Sequence, residues 1–197
     1  MFELMQAHPL ATLVMQTSDG LDANQLPLYL AKDERQWGTL RGHVARANPL
    51  WKEGGDAAVL AIFRGPDAYV TPSWYPSKQE TGRVVPTWSY AVVHAHGRLQ
   101  VHEDAVWIRQ HLHDMTHQFE TGFAEPWRVS DAPEDYIERL LEMVVGIEIP
   151  IQRLEGKWKV SQNQPENNRQ GVIHGLRQQT GGDCPMAALM ETHKTGN

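Results

Sequence analysis

Two arginines five residues apart, Arg41 and Arg46, flank Gly42 and His43 in the stretch Gly38-Thr39-Leu40-Arg41-Gly42-His43-Val44-Ala45-Arg46-Ala47-Asn48-Pro49. These residue types can grip a phosphate. Guanidinium forks and backbone N–H groups converge on one anion, and a glycine lets the main chain come close. A charge-assisted hydrogen bond of this kind contributes about 1.5–3 kcal/mol. The stretch begins like a strand and ends in a turn, so it reads as a phosphate cradle at a strand end. A surface hairpin with solvated arginines fits the same composition. No Walker motif and no Gly-x-Gly-x-x-Gly occurs, which excludes nucleotide binding through those loops.

The ten histidines form the next group. His94 and His96 alternate on one strand face and suit an interface or groove. His113 and His117 stand at i, i+4, a ligand-like spacing, but they lack the glutamate pattern of a metalloprotease. They read as exposed helix residues, and no metal is expected. Trp74, Trp88 and Trp158 have flat faces that would stack on a planar ligand or fill a core. No Gly-x-Ser-x-Gly is present, and Cys184, the single cysteine, has no activating helix N-terminus assigned to it.

The totals bound these chemistries. A chain of 197 residues with 41% hydrophobic and 21% charged residues is one globular domain's worth of sequence. The net charge of −6 argues against a general nucleic-acid binder, and no helix-turn-helix signature supports direct DNA contact. One cysteine makes no internal disulfide. The opening Met1–Gln6 lacks the basic and apolar regions of a signal peptide. The longest apolar run, 57–63, is too short to span a bilayer. A cytoplasmic protein without membrane contact is expected.

The elements that must position these residues follow from periodicity. A short helix over 1–8 stops at Pro9. Strands are expected over 11–17 and 22–31, the second carrying Pro27, then a polar turn over 33–36 and a strand over 37–44. The run 57–63 reads as a strand buried on both faces, Gly65-Pro66-Asp67 as a turn, and 68–71 as a further strand. The aromatic loop 72–82 follows. The long strand 84–102 puts Trp88, Tyr90, Val92, His94 and His96 on one face and Thr87, Ser89, Ala91, Val93 and Ala95 on the other. Ile108, Leu112, Met115 and Phe119 mark one helical face. Asp131-Ala132-Pro133-Glu134 opens a second helix with Ile137, Leu140, Leu141 and Val144 inward. A strand over 145–154, a tight turn at Glu155-Gly156, a returning strand over 157–162 and a helix over 167–178 complete the order. Strands in hairpin order with late helices predict an α+β, mainly β fold: a small antiparallel barrel with peripheral helices. The division expected is a domain over 1–178 and a C-terminal tail over 179–197.

Several collinear pieces resemble the PaiB family of FMN-binding negative transcriptional regulators, within the split-barrel class of the pyridoxamine-phosphate oxidases. They are 8–14 (HPLATLV), 21–27 (LDANQLP), 40–49 (LRGHVARANP), 70–75 (VTPSWY), 85–94 (VPTWSYAVVH), 159–163 (KVSQN) and 169–172 (RQGV). The resemblance implies an antiparallel split β-barrel that forms a homodimer with FMN at the subunit interface. It implies that Asn24, Gln25 and Leu26 line the isoalloxazine edge, and that Arg41, Gly42, His43, Ala45 and Arg46 hold the phosphate. Thr87, Trp88 and Ser89 would approach from the partner's long strand, and Lys159, Ser161 and Asn163 would close the ring end. Gln25 stands where many relatives carry a histidine. Two other readings of such a barrel remain: a flavin-dependent oxidoreductase using the open aromatic loop 74–78, and a haem protein using the strand and helix histidines.

Overall fold

The computed structural model describes residues 1–31 and 33–193. Residues 194–197, the last part of the expected tail, lie outside the described residues. Eight strands among the described residues follow the order β2-β1-β5-β6-β8-β4-β3, with β7 pairing β8. The chain divides into two compact units, 1–63 with 94–155, and 64–93 with 156–197.

The first unit opens with helix α1 (Phe2–Ala7), which ends just before Pro9. Strands β1 (Leu10–Thr17) and β2 (Gly20–Pro27) form a hairpin that pairs Leu10 with Pro27 and Thr17 with Gly20. Gly20 takes φ +124°, a conformation that favours glycine. The strand expected over 22–31 breaks at Leu28, so β3 is the separate piece Tyr29–Ala31. Strand β4 (Thr39–Ala45) carries the central stretch and pairs antiparallel with β3 and with β8 (Val144–Lys159). A short helix α2 (Leu50–Glu53) follows. Strand β7 (Gln100–His102) pairs β8 through His102 and Gly146. Helix α4 (Ala105–Glu120) is capped by Asp104, whose carboxylate accepts from the Val106 and Trp107 N–H groups. Helix α5 (Glu134–Glu142) presents Ile137 and Leu141 to Ile108 and Val129 in an apolar cluster.

Three expectations for the strands are corrected. The 57–63 run is not buried on both faces. Val59, Ala61 and Phe63 are buried, while Leu60 and Ile62 alternate onto a half-open face. Second, Gly65-Pro66-Asp67 is not a turn, because β5 (Ala58–Val70) runs through it. Its pairing with β1 ends at Ile62, so Pro66 lacks no ladder bond on that side, and its fixed φ suits an extended chain. Third, Glu155-Gly156 is not a turn. Gly156 has no positive φ, and β8 continues to Lys159.

The second unit holds helix α3 (Ser77–Thr81), residues of strand β6 (Thr87–Arg98), helix α6 (Glu166–Thr180) and helix α7 (Pro185–Thr192). The β6 alternation follows the sequence pattern: Ser89, Ala91 and Val93 are buried, and their neighbours are not. The stretch expected as a tail instead supplies α7, whose Met186, Ala187 and Met190 pack with Val172, Ile173 and Leu176 of α6. The buried Arg169 guanidinium ties the two helices by donating to the Met190 carbonyl at 2.9 Å. The aromatic loop is not open at Trp74 and Tyr75. Both pack into this core, and Gly171 and Gly175 of α6 make the notch that receives Trp74. A Cβ on Gly175 would lie 2.4 Å from the indole. Gly175→Ala should therefore destabilise the fold by about 2 kcal/mol through overpacking and lower the melting temperature by roughly 5 °C, measured by thermal denaturation.

Candidate functional site

In the first unit, β4 divides its side chains between two environments. Leu40, Gly42 and Val44 face the core. Thr39, Arg41 and His43 point to the other side, which α4 covers for the last two. Arg41 donates from Nε to Glu148 Oε2 at 3.0 Å and lies 5.9 Å from the centre of the Trp107 ring. Gly42 is required by packing, since a Cβ there would lie 2.7 Å from Leu28 and 3.0 Å from the Pro27 carbonyl.

His43 reaches α4. Its Nδ1 lies 3.0 Å from Nε2 of His111. His111 sits in a stack of rings: Tyr29 at 5.6 Å, Trp107 at 5.4 Å, and His102 beyond Trp107 at 4.1 Å. Gly146 of β8 leaves room for the Trp107 ring, which a Cβ would meet at 2.2 Å. Burial pushes the His43 pKa down. Burial, then His43, then Arg41 push His111 down to about 3. Burial also lowers His102, against the upward pull of Glu148. The sequence reading missed this cluster. Its signal was present, because His111 stands three residues after Ile108 and so shares the apolar helix face.

At the end of β4 the chemistry changes. Ala45 is exposed, and Arg46 donates to the Glu142 and Val144 carbonyls at 2.7 and 3.2 Å, to Glu103 at 2.7 Å, and lies 5.8 Å from the Trp51 ring centre. These bonds aim the guanidinium, and its partner Glu103 is itself exposed. Asn24 is joined to Asn48: the Asn48 amide donates to Asn24 Oδ1 at 2.8 Å, and Asn24 donates to Asp22 at 2.8 Å. Asn48 in turn accepts from the Leu50 N–H, which fixes the turn after β4. Gln25 is exposed and bonds Thr12 across the hairpin, while the Leu26 side chain is buried.

In the second unit, the exposed Lys159 ammonium donates to Thr87 Oγ1 at 2.6 Å. Trp88 is 55% exposed and meets Tyr69 edge-on at 5.9 Å, whereas Ser89 is buried. Ser161 takes φ +59°, unusual for a non-glycine residue, in the sharp turn between β8 and α6. Gln162 braces that turn by accepting from the Val160 N–H and donating to the Trp158 carbonyl. Asn163 is exposed.

The remaining histidines divide clearly. His113 and His117 are exposed on α4 and line a pocket of about 460 Å³ with Glu120, Trp127 and Arg128. His96 lies between Glu155 and Arg153, at 3.3 and 3.1 Å. Among the described residues, no three His, Cys, Asp or Glu side chains converge as metal ligands. No helix among them is long and apolar enough to cross a membrane.

Comparison with known proteins gives this geometry a family. Residues 1–153 match the family model described as "Putative FMN-binding domain". An uncharacterised protein of Emericella nidulans is 36% identical over 210 residues, covering 88% of this chain and 84% of its own. The protease synthase and sporulation protein PAI 2 of Bacillus subtilis is 29% identical over 193 residues, covering 96% and 89%. Among solved structures, the FAD and haem binding protein of Mycobacterium smegmatis aligns with a TM-score of 0.60 at 17% identity, over 80% of this chain and 69% of that one. The flavocytochrome Anf3 of Azotobacter vinelandii aligns at 0.58 and 13% identity, over 79% of this chain and 64% of its own. The fold is the antiparallel split barrel with peripheral helices that the sequence predicted. With the family match spanning most of the chain, this protein belongs to the PaiB-type family of FMN-binding-domain proteins.

Proposed function

We propose that this protein is a cytoplasmic homodimer that binds FMN and acts in regulation, with the flavin as a sensing or structural ligand. The observation that carries the reading is the FMN-binding-domain match over residues 1–153, which includes the whole β4 stretch. The donor chemistry fits such a ligand. Arg46 is held by two carbonyls and offers a guanidinium whose one charged partner, Glu103, is exposed and exchangeable. Ala45 and Gln25 are exposed beside it in sequence and on the hairpin face. Lys159, Thr87 and Asn163 supply polar groups in the second unit, and Trp88 supplies an exposed ring for stacking. When bound, FMN supplies an anionic phosphate and a redox-active ring. The protein's part is to hold and orient both.

Within the candidate set, roles are proposed from burial and from the contacts each side chain already makes. Arg46, Ala45 and Gln25 of the first unit are proposed as direct contacts, and so, separately, are Lys159 and Asn163 of the second unit, with Thr87 and Trp88 contributed by the partner subunit's long strand. Asn24, Leu26, Arg41, Gly42, His43, Ser89 and Ser161 are proposed to act chiefly through the backbone they position. Fluorescence titration with FMN tests this division. Arg46→Ala should weaken binding about tenfold or more through loss of a charge-assisted contact. Arg41→Ala should instead lower stability, on the order of 2 kcal/mol, by leaving Glu148 unpaired. Unchanged affinity in Arg46→Ala would remove the cradle.

The dimer has a candidate face. Cross-strand rows Ala23–Val14–Leu60 and Gln25–Thr12–Ile62 lie on the outward side of β2, β1 and β5 in the first unit, with Leu21 79% and Leu10 63% exposed nearby. An apolar sheet face of this kind marks an interaction surface. Light scattering after size exclusion should give twice the 22.3 kDa chain mass, and Val14→Glu should halve it.

The regulatory role is proposed to act without a charge-driven grip on DNA, given the net charge of −6. Holoprotein should leave promoter fragments unretained at low salt. Specific retention would establish the protein as a direct repressor instead.

A further inference from the structure

We propose that Asn48 is a positioning residue that ties the phosphate end of the flavin site to its ring edge, and so sets a preference for FMN over riboflavin. In the FMN reading on which this rests, Ala45 and Arg46 meet the phosphate and the segment 24–26 lines the ring.

Asn48 is half-buried in the turn between β4 and α2. Three of its polar groups are engaged. The backbone N–H donates to the Ala45 carbonyl at 2.8 Å. Oδ1 accepts from the Leu50 N–H at 2.9 Å. Nδ2 donates to Asn24 Oδ1 at 2.8 Å, and Asn24 Nδ2 donates to the Asp22 carboxylate at 2.8 Å. The direction of this chain is fixed at both ends. A backbone N–H only donates and a carboxylate only accepts, so neither amide can turn over without losing a bond. Asparagine at 48 offers an acceptor and a donor on one short side chain. Aspartate lacks the donor, and serine lacks the reach.

Both ends of the chain meet candidate ligand contacts. On one side, the Leu50 bond is a local side-chain turn that leads into α2. That helix presents Trp51, whose indole N–H donates to the Arg46 carbonyl at 2.9 Å and whose ring centre lies 5.8 Å from the Arg46 guanidinium. On the other side, Asn24 precedes Gln25 on β2. In the sheet β2 pairs β1, while β4 lies between β8 and β3, so no ladder joins β2 to β4. The Asn48–Asn24 bond ties the turn that carries Arg46 to the strand that carries Gln25. A ligand with a ring at one end and a phosphate at the other gains when both contacts are held at a set spacing, because less ordering is left to binding. A flavin without the phosphate engages the ring end alone and gains nothing from the tie.

Fluorescence titration of the full chain with FMN and with riboflavin tests this. The wild type should bind FMN at least about tenfold more tightly than riboflavin, through its phosphate contacts. Asn48→Ser keeps an acceptor for the Leu50 N–H but cannot reach Asn24. It should weaken FMN about tenfold and riboflavin about twofold or less. Asn24→Ala breaks the tie from the hairpin side, and the double variant should lose no more of the FMN preference than either single one. Should Asn48→Ser fail to fold, a reduced FMN preference in Asn24→Ala upholds the tie. Equal weakening of both flavins, or unchanged affinities, would overturn the tie and leave the FMN reading standing. A wild type that binds neither flavin, or both alike, would overturn that reading and the tie with it.

Discussion

The first unit depends on one constraint: a polar strand face lies beneath a helix. Alternation along β4 puts Arg41 and His43 on the side that α4 covers, where they are half-buried and only partly reached by water. A charge or imidazole that loses part of its hydration gains from a partner inside the protein. Glu148 answers Arg41, His111 answers His43, and Tyr29 bridges to Asp114. Gly146 is part of the same solution, because only a residue without a side chain lets the Trp107 ring lie against β8. Three elements, β3, β8 and α4, thus converge on two side chains of β4.

That constraint also divides the two arginines that the sequence presents as equals. Five residues of strand and turn separate them. Arg41 is inside the covered stretch and Arg46 is past its end. The first is consumed by structure, while the second keeps a solvent-facing guanidinium steadied by two carbonyls. A phosphate site at this position would draw its rigidity from the covered part of the strand and its charge from the open part.

The second unit solves a different problem with smaller means. Its core is aliphatic and sulfur-rich, built from α6, α7 and strand residues, and its precision comes from two glycines one turn apart. Gly171 and Gly175 let Trp74 sink against the α6 backbone, which turns an aromatic-rich loop into a packed support. The loop's composition suggested ligand contact. The missing Cβ atoms on a distant helix reveal packing instead.

Local patterns were legible in the sequence because they act over short range. The period-2 alternation of β6, the apolar stripes of α5 and α6, the stop at Pro9 and the turn at Gly20 all follow from nearest-neighbour geometry. The motif set also carried the family and the split-barrel fold. The sequence could not say that Gly65-Pro66 and Glu155-Gly156 stay extended, because turn residues permit a turn without requiring it, and sheet pairing decides. Nor could it show that 185–192 is core rather than tail, since eight residues bury their methionines only once α6 offers a face. The roles of Arg41 and His111 lie furthest from the sequence. Glu148 stands 107 positions from Arg41 and His111 stands 68 from His43. Only folding brings those partners within hydrogen-bond reach, and burial then determines what each can do.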